Sequence, residues 1–284
     1  MIEEGFILHF VVCLKQVPDT SEVRIDPKTN TLMREGVPSI INPYDAHALE
    51  EAIRLKEKVG GKVTIISMGP PQAKEALKKG MSFGADRAIL LSDRAFAGSD
   101  SLATAYILST AIFKLAETEP VDIVFAGKEA IDGDTAQTGP GIAVRLNYPQ
   151  LTYVIKVRNL EDKTITVERK LETGKEVVQA QLPALVTCEK SLNEIRYASL
   201  PNMMKAAKYE VEVWDSKTLQ FDATQMGLKG SPTSVSRIFA PPSRTGGEKI
   251  DGSKDSRGAA ANVVEKLFQQ NIIMINPLAK GGKV

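Results

Sequence analysis

The chain has 284 residues, 36 basic against 35 acidic, a formal net charge of +1 and 43% hydrophobic residues. That balance excludes a bulk attraction to nucleic acid or anionic membranes, and the length suits one large domain or one domain with an extension. Cys13 and Cys188 both sit inside apolar runs, which argues against a disulfide framework, and two histidines without a Cys/His cluster argue against a zinc or iron–sulfur centre. No apolar run reaches the roughly twenty residues that span a bilayer. The acidic N-terminus lacks the basic region of a signal peptide. The expectation is a soluble, cytoplasmic protein with no nucleic-acid partner and no membrane insertion.

Residues 6–14 predict a first strand, apolar enough to be central in a parallel sheet. A hairpin is expected across residues 26–30. Asn42 suits an N-cap and Pro43 the first turn of a helix that runs to about Val59 and stops at Gly60-Gly61. Strands are expected over 62–68, 87–91 and 121–126. Helices are expected from Gly69-Pro70-Pro71 to near Gly80, over 101–117, and from Asp134 or Thr135 through Arg145. Strand and helix thus alternate with short connections, the pattern of a parallel α/β sheet with right-handed crossovers.

Ligands of such sheets bind outside the carboxyl ends of the strands, where strand order reverses. Four segments are positioned to meet there: residues 13–17, 42–45, 68–70 and 127–138. The last contains Gly127, Gly133, Gly139 and Gly141, with Thr135, Gln137 and Thr138 as neutral donors. Glycines admit a close backbone approach and a helix N-terminus attracts a phosphate. The spacing is neither a Walker loop nor the GxGxxG fingerprint. It fits equally an ordinary connection in which Asp132 or Asp134 caps the helix.

The second half changes character. Residues 151–157, 164–170 and 176–181 read as antiparallel additions, and 184–188 returns to the sheet. Residues 191–208, with Tyr197, Leu200-Pro201 and two methionines, read either as a helix packed on the core or as a docking segment. Residues 220–257 are rich in Gly, Pro, Ser, Thr and Lys and do not fold alone by composition. A short helix over 259–270, an apolar end and a basic tail follow, read as an arm that docks on another polypeptide or as a disordered tail.

Four stretches together resemble the β subunit of electron transfer flavoproteins: NPYD at 42–45 leading into ALEEA at 48–52, GADR at 84–87, the loop from Gly127 to Gly139, and RYASLPNMMKA at 196–206. The resemblance covers nearly the whole chain, from VVCLKQVPD at 11–19 to PPSR at 241–244. It implies a parallel-sheet, adenine-nucleotide α-hydrolase-like (Rossmann-like) domain over 1–219 and an arm over 220–284 that wraps the α subunit of a heterodimer. The family's β subunit binds AMP as a structural ligand or a second FAD. Its nucleotide contacts carry over onto Cys13 (through its backbone), Asn42, Pro43, Tyr44, Asp45, Met68 and Gly127, and onto Asp132, Gly133, Asp134, Thr135, Ala136, Gln137 and Thr138. The recognition loop maps onto residues 194–205, with Tyr197, Leu200, Pro201, Met203, Met204 and Lys205 toward a partner and Leu200 as the anchor.

AMP-type members carry a further acid and an Asn in the loop, whereas here Gly133 removes a side chain and a charge. That resembles the electron-bifurcating branch, whose β subunit holds FAD and accepts hydride from NADH, although Thr138 stands where many such members have valine. The implied acceptors are ferredoxin and, through the α-subunit flavin, an acyl-CoA dehydrogenase or membrane quinone oxidoreductase. NADH oxidation is then expected only in the complex. Two other readings remain at this stage: a non-bifurcating carrier with AMP, and a nucleotide-binding sensor or ATP-hydrolysing domain of the same broad fold.

Overall fold

The computed structural model describes residues 7–19, 38–236 and 246–273. The hairpin expected at 26–30, the PPSR stretch and the basic tail lie outside them. The chain divides into two units, Met1–Ile238 and Phe239–Val284.

The first unit is built on β1 (His9–Cys13), β4 (Lys62–Met68), β5 (Arg87–Leu91), β6 (Ile123–Gly127) and β10 (Ala184–Cys188), each nearly or wholly buried. These runs are mostly apolar because helices cover both faces of the sheet. With β7 (Gln150–Glu161), β8 (Thr164–Lys170), β9 (Lys175–Gln181) and β11 (Glu212–Trp214), the strand order is β11-β5-β4-β1-β6-β10-β7-β8-β9. Pairing is parallel from β11 to β7 and antiparallel across β7-β8-β9. The mixed α/β expectation holds, with a mostly parallel sheet and antiparallel additions. A separate two-stranded sheet joins β2 (Gln16–Pro18) to β3 (Ser39–Ile41).

Alternate strand residues feed two cores. Phe10, Val12, Ile65, Phe125 and Val186 pack beneath α1 (Pro43–Val59) and α2 (Lys74–Phe83). Val11, Ile66, Ile89, Val124 and Leu185 pack against α3 (Ser101–Ala116) and α4 (Thr138–Leu146). The side-chain period of two in a strand makes this division automatic. Among the described residues no helix is long and apolar enough to cross a membrane.

Several boundaries differ from the sequence expectation for identifiable reasons. The second helix passes Gly80, where a Cβ would stand 2.7 Å from Ile65 Cδ1, and ends at Gly84 with φ +126°. The fourth helix begins at Thr138 rather than at Asp134 or Thr135, because Asp134 and Ala136 take positive φ of 50° and 53°. Neither Asp132 nor Asp134 caps it; Gln137 holds the cap position without a side-chain bond. Residues 220–236, expected to begin an arm, belong to the first unit: Leu219 is buried, and Phe221 packs edge-on against Phe96 at 5.1 Å and Tyr106 at 6.1 Å. A single turn, α6 (Gly227–Gly230), lies in this stretch.

The GADR stretch does structural work. Asp86 accepts from Val63 N at 2.8 Å and pairs with Lys56 at 2.5 Å, while Arg87 makes a two-pronged pair with Glu212 of β11 at 2.8 Å. In the second unit, α7 (Ser256–Gln269) is capped by Asp255, which accepts from Gly258 N at 2.9 Å; Lys266 pairs with Glu248. No side chain of α7 is buried.

Candidate functional site

From β1 the chain proceeds one way through β4 to β5, and β6 pairs on the other side of β1. The switch point therefore lies between β1 and β6, and a cleft of about 290 Å³ opens at their carboxyl ends. That is at the small end of the ~300–1,000 Å³ typical of ligand sites. Of the expected residues, Cys13, Asp45, Met68, Gly127 and the run from Gly133 through Thr138 line it.

The remaining expected residues stand behind or beside the cleft. Asn42 is fully buried and does not cap α1 with its side chain. Its Nδ2 donates to Glu129 O at 2.8 Å and its Oδ1 accepts from Ile131 N at 3.2 Å, so it holds the loop from beneath. Pro43 opens α1. Tyr44 takes Lys190 over its ring at 4.5 Å and Lys128 at 5.6 Å. Asp132 pairs with Lys15 at 2.6 Å.

Asp45 joins the two central strands. Its Oδ2 accepts from Lys15 N at 2.7 Å and its Oδ1 from Gly127 N at 2.9 Å. Burial raises its pKa to about 7, against these bonds, the neighbouring Asn42 side chain and the Lys15 charge, which all favour the ionised form. Burial likewise pushes the Cys13 thiol up to about 12, so it offers no thiolate near neutrality.

The glycines divide by cause. A Cβ on Gly127 would lie 2.3 Å from Asp45 Oδ1, on Gly139 2.6 Å from Thr187 Cγ2, and on Gly141 2.9 Å from Ala105 Cβ. Those three are required by the chain's own packing, not by a ligand. Around Gly133 there is nothing within 4 Å. Its lack of a side chain leaves open space at the rim of the cleft.

The β5–α3 connection completes the site and was absent from the expected list. Ser99, Asp100, Ser101 and Thr104 line the cleft, and Ser101 Oγ donates to Gln137 Oε1 at 3.3 Å across it. Asp100 caps α3, accepting from Leu102 N at 3.0 Å and Ala103 N at 3.1 Å. The carboxyl-end rule that selected the loops after β1, β4 and β6 applies equally after β5. Lys15 and Lys128 also line the cleft, and Lys128 is held by Glu129 at 3.2 Å and Glu189 at 3.7 Å.

A second region is defined by clamping. Arg196 pairs with buried Glu50 at 2.9 Å and with Glu57 at 2.5 Å, which hold its pKa above the ordinary arginine value. Asn193 Nδ2 donates to Glu51 at 2.9 Å and to His47 O at 3.0 Å. Beyond this clamp runs α5 (Leu200–Lys208), capped by Ser199, with Ala206 its one buried residue. Tyr197 is 99% exposed, Leu200 69%, Met204 57% and Met203 51%; Pro201 and Lys205 are exposed as well. The segment thus packs on the core through Ala206, as one of the two readings has it, while most of its large apolar side chains stay exposed.

An open, mostly parallel α/β sheet with a ligand cleft at its switch point is the class that this geometry defines. A family profile described as "Electron transfer flavoprotein domain" matches residues 29–219. The chain is 51% identical over 278 residues to Protein FixA of Azotobacter vinelandii, covering 96% of this chain and 99% of that one. It is 52% identical over 267 residues to the electron transfer flavoprotein subunit beta of Thermoanaerobacterium thermosaccharolyticum, covering 94% and 100%. It is 48% identical, again over 267 residues and with 94% and 100% coverage, to subunit CarD of the caffeyl-CoA reductase-Etf complex of Acetobacterium woodii. The chain belongs to the electron transfer flavoprotein family, as a β subunit with a role in electron transfer.

Proposed function

We propose that this chain binds FAD in the switch-point cleft, accepts hydride from NADH on it, and divides the electron pair. One electron goes to ferredoxin and the other, through the flavin of an α subunit, to an acyl-CoA dehydrogenase or a membrane quinone oxidoreductase. The observation that carries this reading is Gly133, which leaves open space at the rim of a loop whose neighbouring donors are the neutral Thr135, Gln137 and Thr138. A pyrophosphate needs such room, and a side chain at position 133 would take it up. The flavin supplies the redox chemistry when bound. Residues of the chain hold it: the 133–138 loop and the start of α4 meet the anionic part, and the segments ending β1 and β4 supply walls. The likeness to CarD, named for a CoA-ester reductase complex, supports an acceptor of the acyl-CoA dehydrogenase class. The α subunit is the partner for the arm, and Leu200 the anchor toward the acceptor.

A second reading places structural AMP in the cleft, and the cleft's modest volume of about 290 Å³ favours it. Co-expression with the α subunit, denaturation and quantification of released FAD and AMP separates the two. Two FAD and no AMP per heterodimer supports the first; one FAD and one AMP establishes the second.

A further inference from the structure

The cleft has a charge imbalance that the nucleotide reading leaves unexplained. Asp45, Asp100, Glu129 and Asp134 line it, against Lys15 and Lys128. Lys128 is engaged by two carboxylates and lies over the rings of Tyr44 and Tyr153, each at 5.6 Å. Lys15 differs. Its backbone is fixed, with N donating to Asp45 at 2.7 Å and O accepting from Asn42 N at 2.8 Å. Its side chain is half exposed, and the ammonium rests on Asp132 Oδ1 at 2.6 Å. Asp132 is itself partly exposed and lies outside the cleft lining. The cation thus stands at the mouth of the cleft, pinned at its base and held at its tip by a carboxylate on the flanking loop. Exposed pairs of this kind are weak and screened by salt. A phosphate is at least as negative as a carboxylate and offers more acceptor oxygens, and a lysine on a fixed backbone reaches either partner by rotating its stem.

We propose that Lys15 is the cationic contact of the cleft for a nucleotide phosphate, and that Asp132 is its resident competitor. An entering phosphate takes the ammonium from the carboxylate, so this pair sets both the affinity of the site and its sensitivity to salt. The inference rests on the nucleotide reading above. It also reverses the role of Asp132 in that reading, from ligand contact to rival of the ligand.

The test uses the full chain in complex with its α subunit, stripped of nucleotide and titrated with FAD and, separately, ADP and AMP at low and high salt. Asp132→Asn is expected to tighten binding of the nucleotide the site takes by about 3- to 10-fold. Lys15→Met is expected to weaken it at least 10-fold and to flatten the salt dependence. The double variant is expected to match Lys15→Met alone, since a competitor matters only while there is something to compete for. Unchanged or weaker binding by Asp132→Asn, or a double variant restored to wild-type affinity, overturns the proposal. If the wild-type complex takes up nothing beyond the α subunit's own flavin, the nucleotide reading itself fails. If nucleotide binds and Lys15→Met leaves affinity and salt slope intact, only the role of Lys15 fails. Lys15→Arg, which keeps the charge, is expected to retain most of the affinity and guards against a folding artefact.

Discussion

The cleft and the clamped segment are organised in opposite ways. At the cleft, buried side chains hold backbone: Asp45 and Asn42 spend their polar atoms on main-chain groups of 15, 127, 129 and 131, and loop backbone lines much of the opening. In the 193–208 segment, one buried and one exposed carboxylate hold one arginine, and what is presented outward is side chain: Tyr197, Leu200, Met203 and Met204. A site for a small rigid ligand is shaped from beneath. The segment is braced at its root by Glu50 and Glu57 and left bare at its tip, the arrangement that the proposed docking role would use. Changes beneath the cleft should therefore cost fold and ligand together, whereas changes at the tip of the segment should cost only docking.

The largest effect is expected from Gly127→Ala. The new Cβ meets Asp45 Oδ1 and Tyr44 Cβ at 2.3 and 2.6 Å, where neither neighbour is a free chain end. Overpacking of this order costs about 3 kcal/mol, and both thermal stability and nucleotide content should fall; a near-native melting temperature with full nucleotide would refute the brace.

Arg196→Met comes next, at about 2 kcal/mol, because Glu50 is left buried with Arg54 and the main-chain N–H of residue 196 as partners. Denaturant unfolding measures the loss. Nucleotide content should be kept, while the rate of electron delivery to an acceptor falls.

Asp45→Asn orphans one of two main-chain N–H groups and should cost about 1–2 kcal/mol. The pH dependence is the sharper signature. A carboxyl raised from 3.8 to about 7 binds its proton more tightly in the folded state, so its stabilising contribution is full below about pH 4 and is lost as pH rises through 7. The stability difference between wild type and Asp45→Asn should shrink across that window. A difference that is flat, or that grows with pH, would contradict the assigned environment.

The smallest stability effects separate the two regions most cleanly. Gly133→Asp enters open space and should change stability by under about 0.5 kcal/mol, yet lower retained FAD severalfold. Leu200→Ala should be as benign to folding and to nucleotide content, while slowing reduction of the partner dehydrogenase. Equal loss of fold and transfer at Leu200 would mark it as a packing residue.

The alternation of apolar strands with helices was legible because period two and period 3.6 leave different marks, and the carboxyl-end rule then placed the cleft. What stayed hidden has specific causes. The stretch 134–137 carries helix-compatible residues, but positive φ at Asp134 and Ala136 holds it outside α4, a backbone property that composition does not encode. Gly127, Gly139 and Gly141 read as openings for a ligand, but three-dimensional neighbours fill the space that each leaves. Asn42 looked like a cap because caps are local, whereas its partners are Glu129 and Ile131, far along the chain. The three residues of β11 are too few to show a period, and they join the sheet beside β5. The exposed line Tyr197, Leu200, Met203 and Met204 was readable from one motif, but the clamp that roots it was not.

That last strand gives the clamped segment its mechanics. After β10 the chain leaves the sheet, and at β11 it returns five strands away, a gap of about 24 Å at the usual interstrand spacing. Residues 189–211 are thus a bridge resting on two piers, with Arg196 bolting the span to α1 partway across. The span is far longer than the gap, so what fixes its path is the Arg196 clamp and the packing of Ala206 rather than tension between its ends. Under the proposed docking role of Leu200, a segment clamped in this way would lose less chain entropy on contact than a free loop. The proposed docking would then be a small contact, of the kind that forms and releases quickly.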